Sequence, residues 1–412
     1  MMSMTKKFAG ACAIFILLHV QVIGQSSTGS AYNAFGFGSL IPVGSTEFSS
    51  LGYTGVGARF SNVVNLENPA ALTSIKGPNH IFDLGLNITG LNQKSSSKSY
   101  STVIGGLSAM NFWVRSGKSS AFNFSLSQYS DAKYDITDFS TSSSLLGAYS
   151  VRYQGNGGLS KLAVAYTQDL FPRLSLGFRG GLVFGNITRS QELSGNSLIE
   201  GTSISQEMNL AQLVYDVGLQ YSVPLGEAKS MTLGLTYQPA FSVGYDIEQE
   251  ILKEGYDTLH SESDDSQSIP EKIGVGFHLT LGQWSIMADG EVEKRGVNEG
   301  DASFDYTDLR TFSGGLVYQA NDKLELYANR VIYRAGYRFG EGYVDALSTT
   351  FQSHRFSLGF GLPVRRNTGY INLGYSYQQQ GKVGTRLIEE QLHTLSLSIS
   401  IRDVWFTKRV YD

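Results

Sequence analysis

Gly117-Lys118-Ser119 has the ending of a phosphate-binding loop, in which backbone N–H groups cradle phosphates and the lysine reaches them. The glycine that must stand upstream and the helix that must follow are both missing, so the tripeptide reads as a hairpin turn. His80, His260, His278, His354 and His393 are scattered, without the close spacing that brings two imidazoles onto one metal ion. Serine is abundant, so pairing any one serine with His278 or His393 into a lipid-cleaving triad has no support from spacing, and such a triad is defined by geometry. Glu248, Glu250, Glu254, Asp257, Glu262, Asp264 and Asp265 crowd one stretch, where carboxylates could take calcium or bridge lipopolysaccharide phosphates through divalent ions. They lack the fixed ligand intervals of a built site and read as a solvated outer loop. No residue is therefore assigned to catalysis, to a metal or to a cofactor, and the chain is not read as an enzyme. What remains are polar residues set singly into apolar repeats, Asp83, Arg179, Asp216, Asp289 and Arg402, whose meaning depends on the elements that carry them.

Those elements repeat every two residues, and a period of two means strand. Met231, Leu233, Leu235, Tyr237, Phe241, Val243 and Tyr245 alternate with Thr232, Gly234, Thr236, Gln238, Ala240, Ser242 and Gly244, with Pro239 marking a local bulge or irregular edge. Leu174, Leu176, Phe178, Leu182 and Phe184 repeat the pattern, as do Phe356, Leu358, Phe360 and Leu362, and Leu395, Leu397, Ile399 and Ile401. The second face is mainly Gly and Ser, whereas a soluble sheet would expose Lys, Glu and Thr there. A small, wet face opposite a greasy one fits a membrane barrel, lipid outside and a crowded or hydrated lumen inside. The spacing predicts an all-β antiparallel transmembrane barrel of about fourteen strands, with short periplasmic turns alternating with longer outer loops. One strand over 145–168 is interrupted by Gly155 to Gly158, and another is placed over 323–340. Tyr129, Tyr245, Tyr337, Tyr377, Trp405 and Phe406 would sit as interfacial girdles. Asp83, Arg179, Asp216, Asp289 and Arg402 lie on the small face, so they point inward, either bracing a plug or lining a polar path.

Composition agrees. There are 47 glycines and 23 each of Tyr and Phe against 17% charged residues, proportions that suit strands rather than a soluble α/β enzyme. Lys6 and Lys7 precede an apolar run from Phe8 to Val22, a secretory signal peptide ending near Gly24 or Gln25. The run is shorter than the roughly 20 residues of a spanning helix. Cys12 lies within it, so the mature chain has no thiol, and a lipoprotein reading at Cys12 would leave almost no apolar segment before it. The formal charge of −4, without a basic stripe, excludes a nucleic-acid partner. The expected organisation is a signal peptide over 1–24, a luminal hatch over 25–78, a barrel over 79–403 and a periplasmic tail over 404–412.

The hatch segment lacks alternation and is rich in glycine. Its run Ser50-Leu51-Gly52-Tyr53-Thr54-Gly55-Val56-Gly57-Ala58, followed by Asn68-Pro69-Ala70-Ala71-Leu72, resembles the amino-terminal hatch of the FadL-type outer-membrane transporters of hydrophobic compounds. It is also similar to the related PorV-type barrels associated with type IX secretion. The motif covers residues 50–72 only; the architecture covers the mature chain. The resemblance implies a monomeric barrel in the outer membrane of a Gram-negative cell, in which a hydrophobic ligand such as a long-chain fatty acid enters from outside, reaches an internal pocket and leaves sideways through a kinked strand. It implies that Gly52, Gly55, Gly57, Asn68, Pro69, Ala70, Ala71 and Leu72 form the hatch motif, gating or simply structural. The PorV-like side implies instead a non-transporting docking subunit of a larger outer-membrane machine. Partners under these readings are outer-membrane lipid, a hydrophobic ligand and another outer-membrane protein.

Overall fold

A computed structural model describes residues 29–77, 80–95, 98–138, 142–143, 147–195, 202–253, 258–294, 305–320, 327–345, 350–364, 369–382 and 388–403. The predicted signal peptide, the carboxyl-terminal tail with Trp405 and Phe406, and Glu254 and Asp257 lie outside these residues.

Fourteen antiparallel strands close into one barrel. They are β1 (His80–Lys94), β2 (Ser99–Arg115), β3 (Ser120–Gln128, resuming as Tyr134–Asp138), β4 (Ser150–Phe171), β5 (Leu174–Ser194), β6 (Thr202–Gly226) and β7 (Lys229–Gln238, then Phe241–Lys253). The circuit continues with β8 (Leu259–Ile269, then Glu271–Leu281), β9 (Trp284–Lys294), β10 (Asp305–Gln319), β11 (Ile332–Asp345), β12 (Thr350–Val364), β13 (Gly369–Gln380) and β14 (Glu389–Asp403). β1 pairs with β2 on one side and with β14 on the other, so the first and last strands seal the wall. The β2–β3 turn holds Gly117 in a hairpin, its N–H donating to the Ser120 carbonyl at 3.3 Å.

Alternate residues do what the period of two demands. Leu162, Val164 and Tyr166 on β4, Leu176 and Phe178 on β5, and Leu395, Leu397, Ile399 and Ile401 on β14 are exposed, while Ala163, Ala165, Ser396, Ser398 and Ser400 between them are buried. Large apolar side chains facing out all round a closed barrel make hydrocarbon the outer solvent, which marks an integral outer-membrane barrel. β4, β5 and β6 run for 22, 21 and 25 residues, about twice the roughly 9–11 that cross a bilayer, so their outer ends stand above the membrane.

Several expectations change. Gly155 to Gly158 do not split β4: Gly157 and Gly158 adopt φ of 90° and 149°, a conformation glycine permits, and the strand bends there without ending. β11 starts at Ile332 rather than near 323, because its pairing with β10 begins at Gln319 and Tyr327–Arg330 curls into a 3₁₀ turn. The acidic stretch is not a loop: β7 and β8 continue through it as a paired extension, with Glu248 opposite Glu262 and Glu250 opposite His260. Lastly, β7 breaks at Pro239–Ala240 and its faces exchange. From Val217 to Asn209, β6 spends eight steps where β7 spends nine, from Tyr237 to Asp246. Phe241, Val243 and Tyr245 therefore turn into the lumen, against Phe37 and Met208, instead of joining Leu233 and Leu235 in lipid. Tyr129 is likewise internal, not an interfacial girdle residue, and Tyr245 with it. Tyr337 stays outside, its hydroxyl 2.8 Å from His354 Nδ1.

Candidate functional site

The hatch runs along the inner wall, and the wall is made to receive it. Asn68 is fully buried and does four jobs. Its side-chain oxygen caps the 3₁₀ helix Pro69–Ser74 by accepting the Ala70 N–H at 2.9 Å. Its amide donates to the Val56 carbonyl at 2.8 Å and, at 3.4 Å each, to the carbonyls of Leu219 and Leu235 on β6 and β7. Pro69 takes the first helical position, where the missing N–H costs nothing. A side chain at Gly218 would occupy the space of the Asn68 oxygen, which is why the lumen is glycine there. Hatch backbone or side chain presses in the same way on Gly177, Gly234, Gly276 and Gly336, so the glycine-rich face is the seat of the hatch.

Asp289 on β9 holds the glycine run. Its carboxylate accepts the N–H groups of Gly55, Val56 and Gly57 at 2.6, 2.7 and 3.3 Å. Three consecutive N–H groups around one anion form a nest. Gly52, at φ of 63°, reverses the chain against Tyr337. Ala70, Ala71 and Leu72 are buried, and the Leu72 carbonyl accepts from Trp113 Nε1 at 3.0 Å. The Arg59 N–H donates to His278 Nδ1 at 3.0 Å, which gives that histidine a structural partner. Among the described residues no three His, Cys, Asp or Glu side chains converge as a metal site.

Above this seat, two ionic triads ring the lumen. Asp216 on β6 accepts Nε and Nη2 of Arg179 at 2.8 Å each and Nζ of Lys161 at 3.3 Å. Arg179 also donates to the hatch carbonyl of Leu66. Glu291 takes Lys272 at 2.7 Å and Arg338 at 3.0 Å. Arg179 and Asp216 thus come together, whereas Asp83 and Arg402 lie at the periplasmic end. There Asp83 accepts from Ser400, and the Arg402 guanidinium sits 4.8 Å over the Tyr370 ring. Sequence reasoning missed Lys161, Lys272, Glu291 and Arg338. Parity could have found two of them: Glu291 is two residues beyond Asp289, and Lys161 shares the face of Ala163.

Glu67, in the hatch, faces both triads. Burial pushes its carboxyl up from 4.5 to about 8, against the pull of Lys272, Arg338 and Arg179. The seated hatch therefore holds a proton that the unfolded chain releases above 4.5, so seating is strongest at acid pH and weakens as pH rises through about 8. Hydrogen exchange of the 55–72 amides, corrected for the intrinsic rate, is expected to lose protection between pH 5 and 8 in the native protein, and a Glu67→Gln variant to lose that pH dependence.

A cavity of about 270 Å³ lies over the hatch, bounded by Leu40, Ile41, Val43, Leu66, Leu309 and Phe351 among the charged residues, and reaching Tyr129. At Tyr129 the wall is irregular. β3 pairs with β2 only from Ala109↔Ser127 to Arg115↔Ala121, then folds inward over residues 129–133 while keeping to β4. Hatch residues Ser39 and Leu40 pair with Asp131 and Ser130, and the Ile41 N–H donates to the Tyr129 carbonyl at 2.9 Å. The hatch thus takes the edge of β3 that β2 would otherwise use, leaving a seam between β2 and β3 in the outer half of the wall.

A family model described as BamG matches residues 4–412. The chain belongs to the BamG family. No curated protein matches this family member's sequence. Its fold is similar to that of the Pseudomonas putida toluene transporter TodX, at 14% identity and TM-score 0.59 over 88% of this chain and 98% of that one. A Pseudomonas aeruginosa FadL homologue gives 11% and 0.60 over 88% and 99%, and the Ralstonia pickettii toluene transporter TbuX 16% and 0.56 over 88% and 99%. The BamG chain therefore shares the FadL-type barrel and hatch architecture.

Proposed function

We propose that the protein is a passive outer-membrane channel for compact hydrophobic molecules, which rest in the luminal cavity and leave sideways through the β2–β3 seam. The carrying observation is the cavity reaching Tyr129 and Leu40, at the inner lip of that seam. Its size argues about the cargo. Drug-sized ligands fill pockets of about 300–1,000 Å³, and about 270 Å³ suits a small ring better than a long acyl chain. The fixed charges around it are largely paired with one another, which leaves aliphatic and aromatic side chains to meet an apolar guest. Toluene-type hydrocarbons are named for TodX and TbuX, and that chemistry is the one we extend to this chain.

The test is uptake of toluene and of oleate into proteoliposomes, or by cells, with and without the protein. Uptake of toluene above that of oleate is expected, falling several-fold in a Thr236→Trp variant that fills the cavity. Equal uptake with and without the protein would overturn the reading.

A further inference from the structure

The charge around the cavity over the hatch has mostly satisfied itself. Lys161 and Arg179 close on Asp216, Lys272 and Arg338 close on Glu291, and Arg355 donates to Gln378 at 2.8 Å. Glu67 lines the same cavity and stands apart. Its carboxyl makes no ion pair or hydrogen bond among the described residues, and Oε1 is buried without a partner. The stem of the side chain is nonetheless held. The Glu67 N–H donates to Asn65 Oδ1 at 2.8 Å, and Cβ and Cγ lie over Gly55, where an added Cβ would come within 2.6 and 2.5 Å of them. Gly55 is fixed in turn, its N–H donating to Asp289 at 2.6 Å. A seated stem thus brings one unspent polar group to a space that is otherwise apolar or self-paired.

The surroundings of that group select its complement. A cationic guest is repelled by Lys272, Arg338 and Arg179, all close enough to act on Glu67. An anionic guest finds the same cations already engaged by Glu291 and Asp216. Burial keeps the Glu67 carboxyl protonated up to about 8, so at neutral pH it offers both a donor and an acceptor. A hydroxyl offers the same pair in return, whereas a bare hydrocarbon filling the space leaves the carboxyl unmet. Tyr53, Tyr129 and Phe351 border the cavity and supply faces and edges for a ring. We propose that Glu67 is the specificity residue of the cavity and that its preferred guest is a neutral single ring carrying a hydroxyl, a phenol, over the unsubstituted hydrocarbon. The inference rests on the cavity being a guest site and narrows the guest's chemistry from hydrophobic rings in general to hydroxylated ones.

The experiment titrates the full chain, purified in detergent, with p-fluorophenol and with fluorobenzene, each followed by fluorine NMR. The readout is the ratio of the two dissociation constants, in which unequal partition of the probes into micelles cancels between variants. Glu67→Leu is expected to lower the preference for p-fluorophenol about tenfold, the size of one net hydrogen bond, with fluorobenzene binding little changed. Glu67→Gln, which keeps a donor and an acceptor, should stay near the native ratio. Thr236→Trp should abolish saturable binding of both probes, which assigns the signals to this cavity. On the native chain p-fluoroanisole, whose oxygen accepts but cannot donate, should lose most of the phenol's advantage, and this arm depends on no variant folding. A ratio indifferent to Glu67→Leu, a ratio that falls equally in Glu67→Gln, or p-fluoroanisole binding as tightly as p-fluorophenol would each overturn the proposal while leaving the cavity a guest site. If neither probe saturates the native chain, the guest-site reading itself fails and this inference with it.

Discussion

Asp216→Ala is expected to cost about 3–5 kcal/mol of barrel stability, the range for removing one partner of a buried ion pair. Asp216 is the carboxylate that Lys161 and Arg179 share, and their side chains are 6% and 11% exposed. Without it two cations stay in the lumen, unpaired and away from bulk water. Guanidinium unfolding followed by loss of the folded band on unheated gels measures the effect. Arg179 also holds the Leu66 carbonyl, so the hatch should loosen together with the wall. Replacing all three residues by apolar ones of similar volume, Lys161→Met, Arg179→Met and Asp216→Leu, is expected to restore most of the loss, since a buried triad contributes little against a well-packed apolar equivalent. A single Asp216→Ala variant as stable as the native chain would show that water reaches the triad and solvates it.

Most of the barrel was legible because a strand needs only its own residues to declare itself. Leu395 to Ile401 alternate with serines, and lipid on one side with lumen on the other is all that pattern encodes. The acidic extension was misread as a loop, although Val243, Tyr245, Ile247, Gln249 and Ile251 alternate with Ser242, Gly244, Asp246, Glu248 and Glu250. Its charge density concealed the period. The face exchange at Pro239 was not legible: proline marks a break, but the single extra residue appears only when β7 is counted against β6. The inward fold of β3 was further out of reach, because it is set by Ser39 to Ile41, some ninety residues earlier in the chain. For the site, residue type found Asp216, Arg179 and Asp289. Their partners follow from register across strands, such as Arg179 opposite Asp216, and register is not written in any one segment.

Asp289→Ala is expected to unseat the hatch while leaving the wall folded. The carboxylate is the acceptor for three successive buried N–H groups, and each donor left without a partner costs about 1–3 kcal/mol, less where water can enter. Nothing in the β8–β9–β10 ladder depends on that side chain, because those strands pair through backbone. The loss therefore falls on residues 55–57 and on what leans against them: Val56, whose carbonyl accepts from Asn68 and Gln220, and through Asn68 the cap of the Pro69–Ser74 helix. Asn68→Ala should act in the same direction with a smaller effect, removing the cap and one strong bond at about 1–2 kcal/mol. Hydrogen exchange at Gly55, Val56 and Gly57 should rise to near-unprotected rates in Asp289→Ala, and single barrels in planar bilayers should pass from closed to long open events. Asp289→Asn, which keeps one oxygen acceptor, should lie between. If exchange at those three amides were unchanged while the barrel itself melted earlier, Asp289 would be a brace of the wall and the hatch would be held by Asn68 and the glycine seat alone.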